Sequence, residues 1–170
     1  TEQVWDGKLY KHGPAIFSKF PIINSEKIQL EQGDNERAAV YAQINVNGIT
    51  LHVFSTHLIH THQQPSKQQE TQTKKLIARL PTNHVIVMGD FNATPESSSI
   101  QAMKKILVDA DSSLLPTWSV YPAGCFKCNP QAIDTKLDYI FVSEDLKANL
   151  FEVGHSDGSD HLPISVKVTL

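Results

Sequence analysis

The sequence predicts a mixed α/β domain in which β-strands outnumber helices. Short apolar runs, several of them alternating with polar residues, recur along the chain, and helical spacing is confined to two segments. The dipeptide Asn47-Gly48 also lies between two alternating runs, which is a strong signal for a β-hairpin. With 170 residues and 40% hydrophobic content, the chain is long enough to bury one sizeable core.

The hairpin is predicted from residues 38–46 and 49–55, which alternate between apolar and polar side chains on either side of the turn. Asn47 and Gly48 both tolerate the positive φ that a type I′ turn requires. The residues of the returning strand that are predicted to face inward are Ile49, Leu51 and Val53.

The other predicted strands are apolar runs bounded by turn residues. They comprise residues 15–17, 22–30, 85–88, 137–142 and 162–168, with one more around Leu150. One helix is predicted to begin at Pro65 or Ser66 and to end near Leu80, and a second spans residues 97–107. Residues 109–135 are rich in loop signals. Because no repeat, linker or low-complexity tract interrupts the chain, residues 1–170 are predicted to form a single domain.

Composition and charge limit the function classes. The chain has 15 basic and 18 acidic residues, so no overall positive field attracts nucleic acid, and a polyanion would have to be held locally. No apolar run approaches the ~20 residues of a membrane span, and the first residues lack the pattern of a secretory signal. We expect a soluble protein without a membrane span, with the cytoplasm slightly favoured as its compartment.

Asp90 and Asn92 follow the apolar run at 85–88 and lie two positions apart. An extended backbone would point both side chains the same way, where a carboxylate and an amide can orient a water or bind a hard cation or a phosphate oxygen. The alternative is that both residues only shape a turn before Thr94-Pro95.

Asp160 and His161 lie side by side where the apolar run at 162–168 begins. Neighbouring side chains at a strand entry diverge, so Asp160 can face a cation while His161 faces a phosphoryl oxygen. Asp138 supports a catalytic interpretation, because an acid within the apolar run at 137–142 is costly unless it is paired, and a histidine is a suitable partner.

His57 lies at the end of the returning hairpin strand, and His60 and His62 follow closely. Three nearby histidines are compatible with a zinc or copper site, but no cysteine or carboxylate lies among them, so the interpretation of His60 and His62 as solvated loop residues is favoured. Arg37 precedes the first hairpin strand and suits either a phosphate or a surface salt bridge.

Cys125 and Cys128 are the only cysteines, and they form one CxxC pair. A structural zinc site usually needs four ligands, and a thioredoxin-like dithiol needs a βαβ setting that is not evident in the sequence. A loop pair, as thiols or as a disulfide, is therefore favoured over a metal or redox site.

Four motifs resemble the endonuclease/exonuclease/phosphatase superfamily, which has the deoxyribonuclease I-like fold. In order they are STHL at 55–58, GDFNATP at 89–95, LDYIFVS at 137–143 and SDHLP at 159–163. The segment GPAIFSKFPI at 13–22 and the dipeptide Glu36-Arg37 add to the resemblance. It extends over almost the entire chain and is specific for the superfamily but not for a substrate.

The resemblance implies a four-layer α/β sandwich that hydrolyses phosphoester bonds with Mg²⁺ or Mn²⁺. By this resemblance Asp90 orients or deprotonates the attacking water and Asn92 supports it. His161, positioned by Asp138, would stabilise charge that develops on the phosphate.

The resemblance also implies roles for the remaining candidates. Asp160 would belong to the metal site, together with Asp90 and Asn92. His57 would be a second catalytic imidazole, and Arg37 would contact the phosphate.

The N-terminal end departs from the family pattern. Family members begin with a strand that ends in a catalytic Asn, then a helix, then a strand that ends in a Gln-Glu pair whose glutamate is the principal metal ligand, whereas this chain begins with Thr1-Glu2-Gln3. We therefore expect an N-terminally incomplete sandwich without those strands and that helix. Such a chain is expected to self-associate or to pair with the missing segment, since it leaves a sheet edge uncovered.

Two functional hypotheses follow. In the first, the protein is a metal-dependent phosphodiesterase or phosphatase, and its substrate is a nucleic acid, a phospholipid or a small phosphate ester. In the second, the chain is a non-catalytic fragment or a binding and assembly module that keeps the fold but lacks the metal-binding glutamate. Trp118 and Tyr121 would stack on a base or a lipid in the first hypothesis, or serve only in packing.

Overall fold

The computed structural model of the protein describes residues 2–31, 36–61, 63–118, 133–156 and 158–170. The predictions for His62, Tyr121 and the Cys125/Cys128 pair lie outside these residues. The described elements, in chain order, are the strands and helices β1 (Glu2–Trp5), β2 (Lys8–Lys11), β3 (Ile22–Glu31), β4 (Arg37–Val46), β5 (Ile49–His57), α1 (Lys67–Ile77), β6 (Val85–Asp90), α2 (Ser98–Lys104), β7 (Val108–Asp109), β8 (Asp138–Val142), β9 (Lys147–Val153) and β10 (Ile164–Thr169).

A six-stranded sheet with the order β3-β4-β5-β6-β8-β7 forms the centre of the domain. Strands β5 and β6 run parallel, and the other neighbours are antiparallel. The register places His57 opposite Asp90 and Asp90 opposite Asp138. Three of the predicted site residues therefore lie in one row at one end of the sheet.

The predicted hairpin is confirmed as β4 and β5. Asn47 and Gly48 have φ angles of 52° and 90°, as the type I′ turn requires. Both faces of this hairpin are covered, so side chains that alternate along each strand enter two different apolar cores, one on each face of the sheet. Phe54 lies in the core beneath the helices, whereas Val53 lies in the core on the opposite face.

Both helices cover the same face of the central sheet. Ser66 and Ser97 cap them, since each hydroxyl accepts a hydrogen bond from the backbone N–H three residues later, that of Gln69 and that of Ile100 respectively. Helix α1 contributes Leu76 to the core on this face, and α2 contributes Ile100 and Met103. The first helix ends three residues before the predicted end and the second also ends three residues earlier, at Lys104.

Strands β9 and β10 form a two-stranded antiparallel sheet against the opposite face. Phe151, Ile164 and Val166 pack there on a core formed by Ile140 and Val142 of β8. The helices, the central sheet and this second sheet thus form successive layers of a sandwich. Within the described ranges no helix covers the outer face of β9 and β10.

Two local predictions differ from the structure. The described segment 15–17 is a loop and not a strand, and Phe17 is 95% exposed. Strands β1 and β2, which sequence reasoning missed, pair around Asp6 and Gly7, whose φ angles are both positive. Asp-Gly is a hairpin signal of the same kind as Asn-Gly, so this turn could have been found.

No helix in the described part of the chain is long and apolar enough to cross a bilayer.

Candidate active site

The carboxylates of Asp90 and Asp138 and the imidazole of His161 meet at the end of the central sheet. Their ligand-type atoms all lie within 4.8 Å of one another. His161 Nδ1 lies 2.7 Å from Asp138 Oδ2, and its Nε2 lies 3.8 Å from Asp90 Oδ2. The imidazole is therefore hydrogen-bonded through one ring nitrogen to one carboxylate, and its other nitrogen faces the second.

Thr117 holds Asp138 in place. Its hydroxyl donates to Asp138 Oδ2 at 2.6 Å, the same oxygen that contacts His161. The Thr117 hydroxyl oxygen also accepts the backbone N–H groups of Leu137 and Asp138, both at 3.2 Å. Because Thr117 is fully buried, this hydroxyl is shielded from competing water and fixes the orientation of the carboxylate.

Thr117 and Trp118 also hold the segment that contains His161 through backbone contacts. Leu162 donates its backbone N–H to the carbonyl of Thr117, and Trp118 forms a bridge with His161. Sequence reasoning did not identify Thr117 as a functional residue. Its only local signal is a Thr beside the already noted Trp118, and the contact with Asp138 spans 21 residues of sequence.

Asn92 does not continue the strand, which corrects the expectation of an extended backbone from Asp90 onward. Its φ is 49°, so the chain turns, and its backbone N–H donates to Asp90 Oδ1 at 2.7 Å. Its side-chain Nδ2 donates to the carbonyl of Leu58. The turn interpretation is thus confirmed, and this turn orients the Asp90 carboxylate.

The side chain of Gln69, in α1, stabilises this turn through hydrogen bonds to backbone carbonyls. Its buried Nε2 donates to the carbonyls of Ile59, Phe91 and Asn92 at 3.0, 3.2 and 3.0 Å. The helix therefore ties the loop after β5 to the loop after β6. Helical spacing alone does not reveal this role, because Gln69 lies in the polar first turn of the helix.

His57 also reaches the site, at the end of β5. Its Nε2 lies 3.4 Å from Asp90 Oδ2, and its side chain is 48% exposed. Burial, and then the positive charges of Arg37 and His161, lower the pKa of His57 to about 4. The His57 imidazole is therefore neutral near pH 7, and its contact with Asp90 is not an ion pair.

The pKa values of Asp90 and His161 are both raised, which favours the neutral form of the carboxyl group and the charged form of the imidazole. Burial, and then the negative charge of Asp138, raises the pKa of Asp90 to about 7. Burial acts to lower the pKa of His161, but the hydrogen bond to Asp138 and the charges of Asp138 and Asp90 outweigh it and raise the pKa. A carboxyl group and an imidazole whose pKa values are both raised thus face each other.

Arg37 begins β4, two residues before Ala39, whose partner on β5 is Thr56. Its charge contributes to the low pKa of His57, which places the guanidinium within electrostatic reach of the site. The Arg37 Nε is buried and has no hydrogen-bond partner in the part of the chain that the structure describes. No described contact forms the surface salt bridge that was the alternative for Arg37.

Asp160 lies at the rim. It is exposed, and its Oδ2 lies 3.3 Å from the indole Nε1–H of Trp118. Its negative charge adds to the raised pKa of Asp90, so it belongs to the same electrostatic environment. Of the two predicted metal-binding carboxylates, Asp90 lies within the compact cluster with Asp138 and His161 and Asp160 does not, and His60 is not part of that cluster.

Comparison with known proteins agrees with this geometry. The sequence model of the Endonuclease/Exonuclease/phosphatase family matches residues 3–161. The chain belongs to this family. No curated protein matches the sequence at a significant level.

Solved structures of this family show the same fold. An endonuclease/exonuclease/phosphatase from Bacteroides vulgatus is 18% identical, with a TM-score of 0.69 over 89% of this chain and 67% of that one. A mannosyl-6-phosphatase from Bacteroides thetaiotaomicron is 19% identical, with a TM-score of 0.65 over 89% of this chain and 68% of that one. TDP2 from D. rerio, complexed with a single-strand DNA product, is 18% identical, with a TM-score of 0.61 over 88% of this chain and 68% of that one. The predicted deoxyribonuclease I-like α/β fold is therefore confirmed.

Proposed function

We propose that the protein is a metal-dependent hydrolase of phosphoester bonds and that the cluster formed by Asp90, Asp138 and His161 is its catalytic centre. The family supports this proposal, since its members generally hydrolyse phosphoester bonds with a divalent metal. The observation that carries it is the convergence of two carboxylates and an imidazole at one end of the central sheet, with their ligand-type atoms within 4.8 Å of one another. The raised pKa values of Asp90 and His161 agree with it.

In this proposal Asp90 takes a proton from the attacking water. A carboxylate that is held in place can act as a general base, and burial without a bound cation raises the pKa of Asp90 to about 7. The backbone N–H of Asn92 fixes one carboxylate oxygen and leaves the other facing His57 and His161.

His161 supplies positive charge and a hydrogen-bond donor to the phosphoryl group. Asp138 holds its Nδ1, so the Nε2–H is free to point at a substrate oxygen, and Thr117 holds Asp138. The neutral His57 and the Arg37 guanidinium would contact other phosphate oxygens from the strands on the far side of Asp90.

The carboxylates of the site offer the hard oxygens that suit a divalent cation. The charges of Asp138 and Asp160 both raise the pKa of Asp90, and a bound cation would compensate that repulsion. Asp90 and Asp160 would hold Mg²⁺ or Mn²⁺ through hard oxygens, with the Asn92 side chain as a further candidate. Such a cation would supply charge neutralisation for the phosphate.

The test is replacement of the imidazole. His161→Ala is expected to lower kcat by about 10²- to 10⁴-fold on a panel of phosphomonoesters and phosphodiesters, the usual scale for a positioned acid or base. His84→Ala is the matched control, because His84 precedes β6 at the opposite end of the sheet and contacts Asp145 there. Full activity of His161→Ala on every substrate would refute the assignment.

Metal dependence is measured in the same assay. We expect a chelator to abolish hydrolysis and Mg²⁺ or Mn²⁺ to restore it, with Zn²⁺ less effective. Absence of hydrolysis with every ester and metal would instead favour the non-catalytic binding module.

A further inference from the structure

A cavity of about 380 Å³ is lined in part by Asn92, the residue whose backbone N–H holds the Asp90 carboxylate. Its walls are formed by Thr61 and residues 63–66, by the first turn of α1, and by residues of the segment 92–98. The first of these groups follows β5, which ends at the proposed catalytic residue His57, and the last follows β6, which ends at Asp90. The volume falls in the range of small-molecule sites.

The described residues that line the cavity are neutral or acidic. Their side chains are five hydroxyls, four amides, two carboxylates and two small apolar groups, contributed by Thr61, Ser66, Thr94, Ser97 and Ser98, by Gln63, Gln64, Gln69 and Asn92, by Glu70 and Glu96, and by Pro65 and Ala93. None of these thirteen residues carries a positive charge. A second phosphate group would meet Glu70 and Glu96 without a compensating cation among them.

Hydrogen-bonding capacity remains in the cavity. Gln63 Nε2 is buried and has no hydrogen-bond partner among the described residues, so a ligand acceptor would remove the cost of that unpaired donor. Glu70 Oε1 accepts the hydroxyl of Ser98 at 2.6 Å, and its carboxylate has further lone pairs for a ligand hydroxyl. By contrast, Gln69 Nε2 is already committed to three carbonyls and serves as the rigid floor.

We propose that this cavity binds the neutral polyhydroxyl part of the substrate, a sugar or cyclitol that carries the scissile phosphate. The inference rests on the proposed hydrolase function and assigns its substrate class. A polyol both donates and accepts hydrogen bonds, as this mixture of carboxylates, amides and hydroxyls requires. Pro65 and Ala93 offer small apolar surfaces for the C–H faces of the ring.

The cavity and the catalytic centre share one residue. Asn92 lines the cavity, and its backbone N–H holds the Asp90 carboxylate at 2.7 Å. A ring bound in the cavity would therefore present a phosphorylated hydroxyl toward Asp90 and His161. Binding energy from the ring would then position the phosphate for attack.

The test compares wild type with Glu70→Gln and with Glu152→Gln, a matched change at an exposed position of β9. For each protein, kcat/KM is measured with Mg²⁺ for glucose 6-phosphate and for p-nitrophenyl phosphate, which has no polyol. We expect the ratio of the two values to fall about tenfold in Glu70→Gln, the effect of one lost charged hydrogen bond, and to stay at the wild-type value in Glu152→Gln.

A ratio that is equal in all three proteins would overturn the polyol subsite and leave the hydrolase function standing. If no phosphoester is hydrolysed, the hydrolase function is overturned, and a binding measurement then decides the subsite. In metal-free solution, glucose 6-phosphate should shift the side-chain amide resonances of Gln63 and Asn92 in wild type and less so in Glu70→Gln. Unshifted resonances, or tighter binding of a dinucleotide than of glucose 6-phosphate, would overturn the inference.

Discussion

The surroundings of Asp90 disfavour the ionised form of its carboxyl group. The pKa of its carboxyl group rises from an ordinary value of 3.8 to about 7 in the folded protein, because burial and Asp138 disfavour the anion. Between these pH values the folded state binds a proton that the unfolded state has released. The stability of the protein therefore falls as the pH rises through this window.

Asp90→Asn is expected to remove this pH dependence in metal-free buffer. An amide oxygen still accepts the Asn92 N–H, but the uncompensated charge is gone, so the variant should melt at a higher temperature than wild type at pH 8. The difference should shrink toward pH 4, where the wild-type carboxyl is protonated in the folded state. Thermal melts from pH 4 to pH 8 measure it, and a difference that does not change with pH would contradict the assignment.

Thr117 is the residue on which the orientation of Asp138 depends. Thr117→Val has the same shape but removes one of the two hydrogen bonds of Asp138 Oδ2 and the hydroxyl acceptor of two backbone N–H groups, so the free energy of unfolding should fall by about 1–3 kcal/mol. Urea unfolding measures this loss. In NMR spectra the downfield Nδ1–H resonance of His161 should weaken as well.

Thr117→Ser is the control for this change, since it keeps the hydroxyl. It should retain both the His161 resonance and most of the stability. Equal behaviour of the Val and Ser variants would show that the hydroxyl does not position Asp138.

At the scale of elements, the site depends on the close approach of β5 and β6. Gly89 pairs with Thr56 and has a φ of 139°. A Cβ atom at this position would lie 2.0 Å from the carbonyl oxygen of Thr56. Only glycine therefore lets the two strands bring His57 and Asp90 into the same row.

Gly89→Ala should accordingly destabilise the protein more than Gly48→Ala. Both changes place a side chain at positive φ, which costs about 1–3 kcal/mol, but nothing lies within 4 Å of the Cβ position at Gly48. Urea unfolding of both variants gives the comparison. Equal stabilities would mean that the contact with Thr56 relaxes at no cost.

At the scale of the whole molecule, the central sheet has an exposed edge among the described strands. Strand β3 forms that edge, and its first six residues, 22–27, are exposed. Ile22 and Ile23 are 45% and 54% exposed there. An exposed edge strand that carries apolar side chains promotes pairing with another chain.

We therefore predict concentration-dependent self-association, which sedimentation velocity measures. Ile23→Lys should reduce it, because a charge on the edge opposes strand pairing. Leu115→Lys changes a loop leucine that is 41% exposed and should leave the association unaltered. A monomer at all concentrations would refute this prediction.

The sequence was sufficient for most elements. The hairpin at Asn47-Gly48, the strands that carry Asp90 and Asp138, and the helix after Ser66 follow from alternation, turn chemistry and capping, which are local effects. The strand predicted at 15–17 was wrong because an apolar run specifies burial but not a strand partner: Ile16 packs against the second core without joining a sheet.

For the site, the sequence by itself determined which residue types stand at the strand ends and, through four ordered motifs, the family to which the chain belongs. Only the tertiary structure decided that Asp90, Asp138 and His161 share one cluster, that Thr117 and Gln69 hold it, and that Asn92 lines an acidic cavity. The physical reason is that hydrogen bonds, burial and pKa shifts depend on distances between residues far apart in sequence. Strand pairing and register set those distances, and local propensity does not encode them.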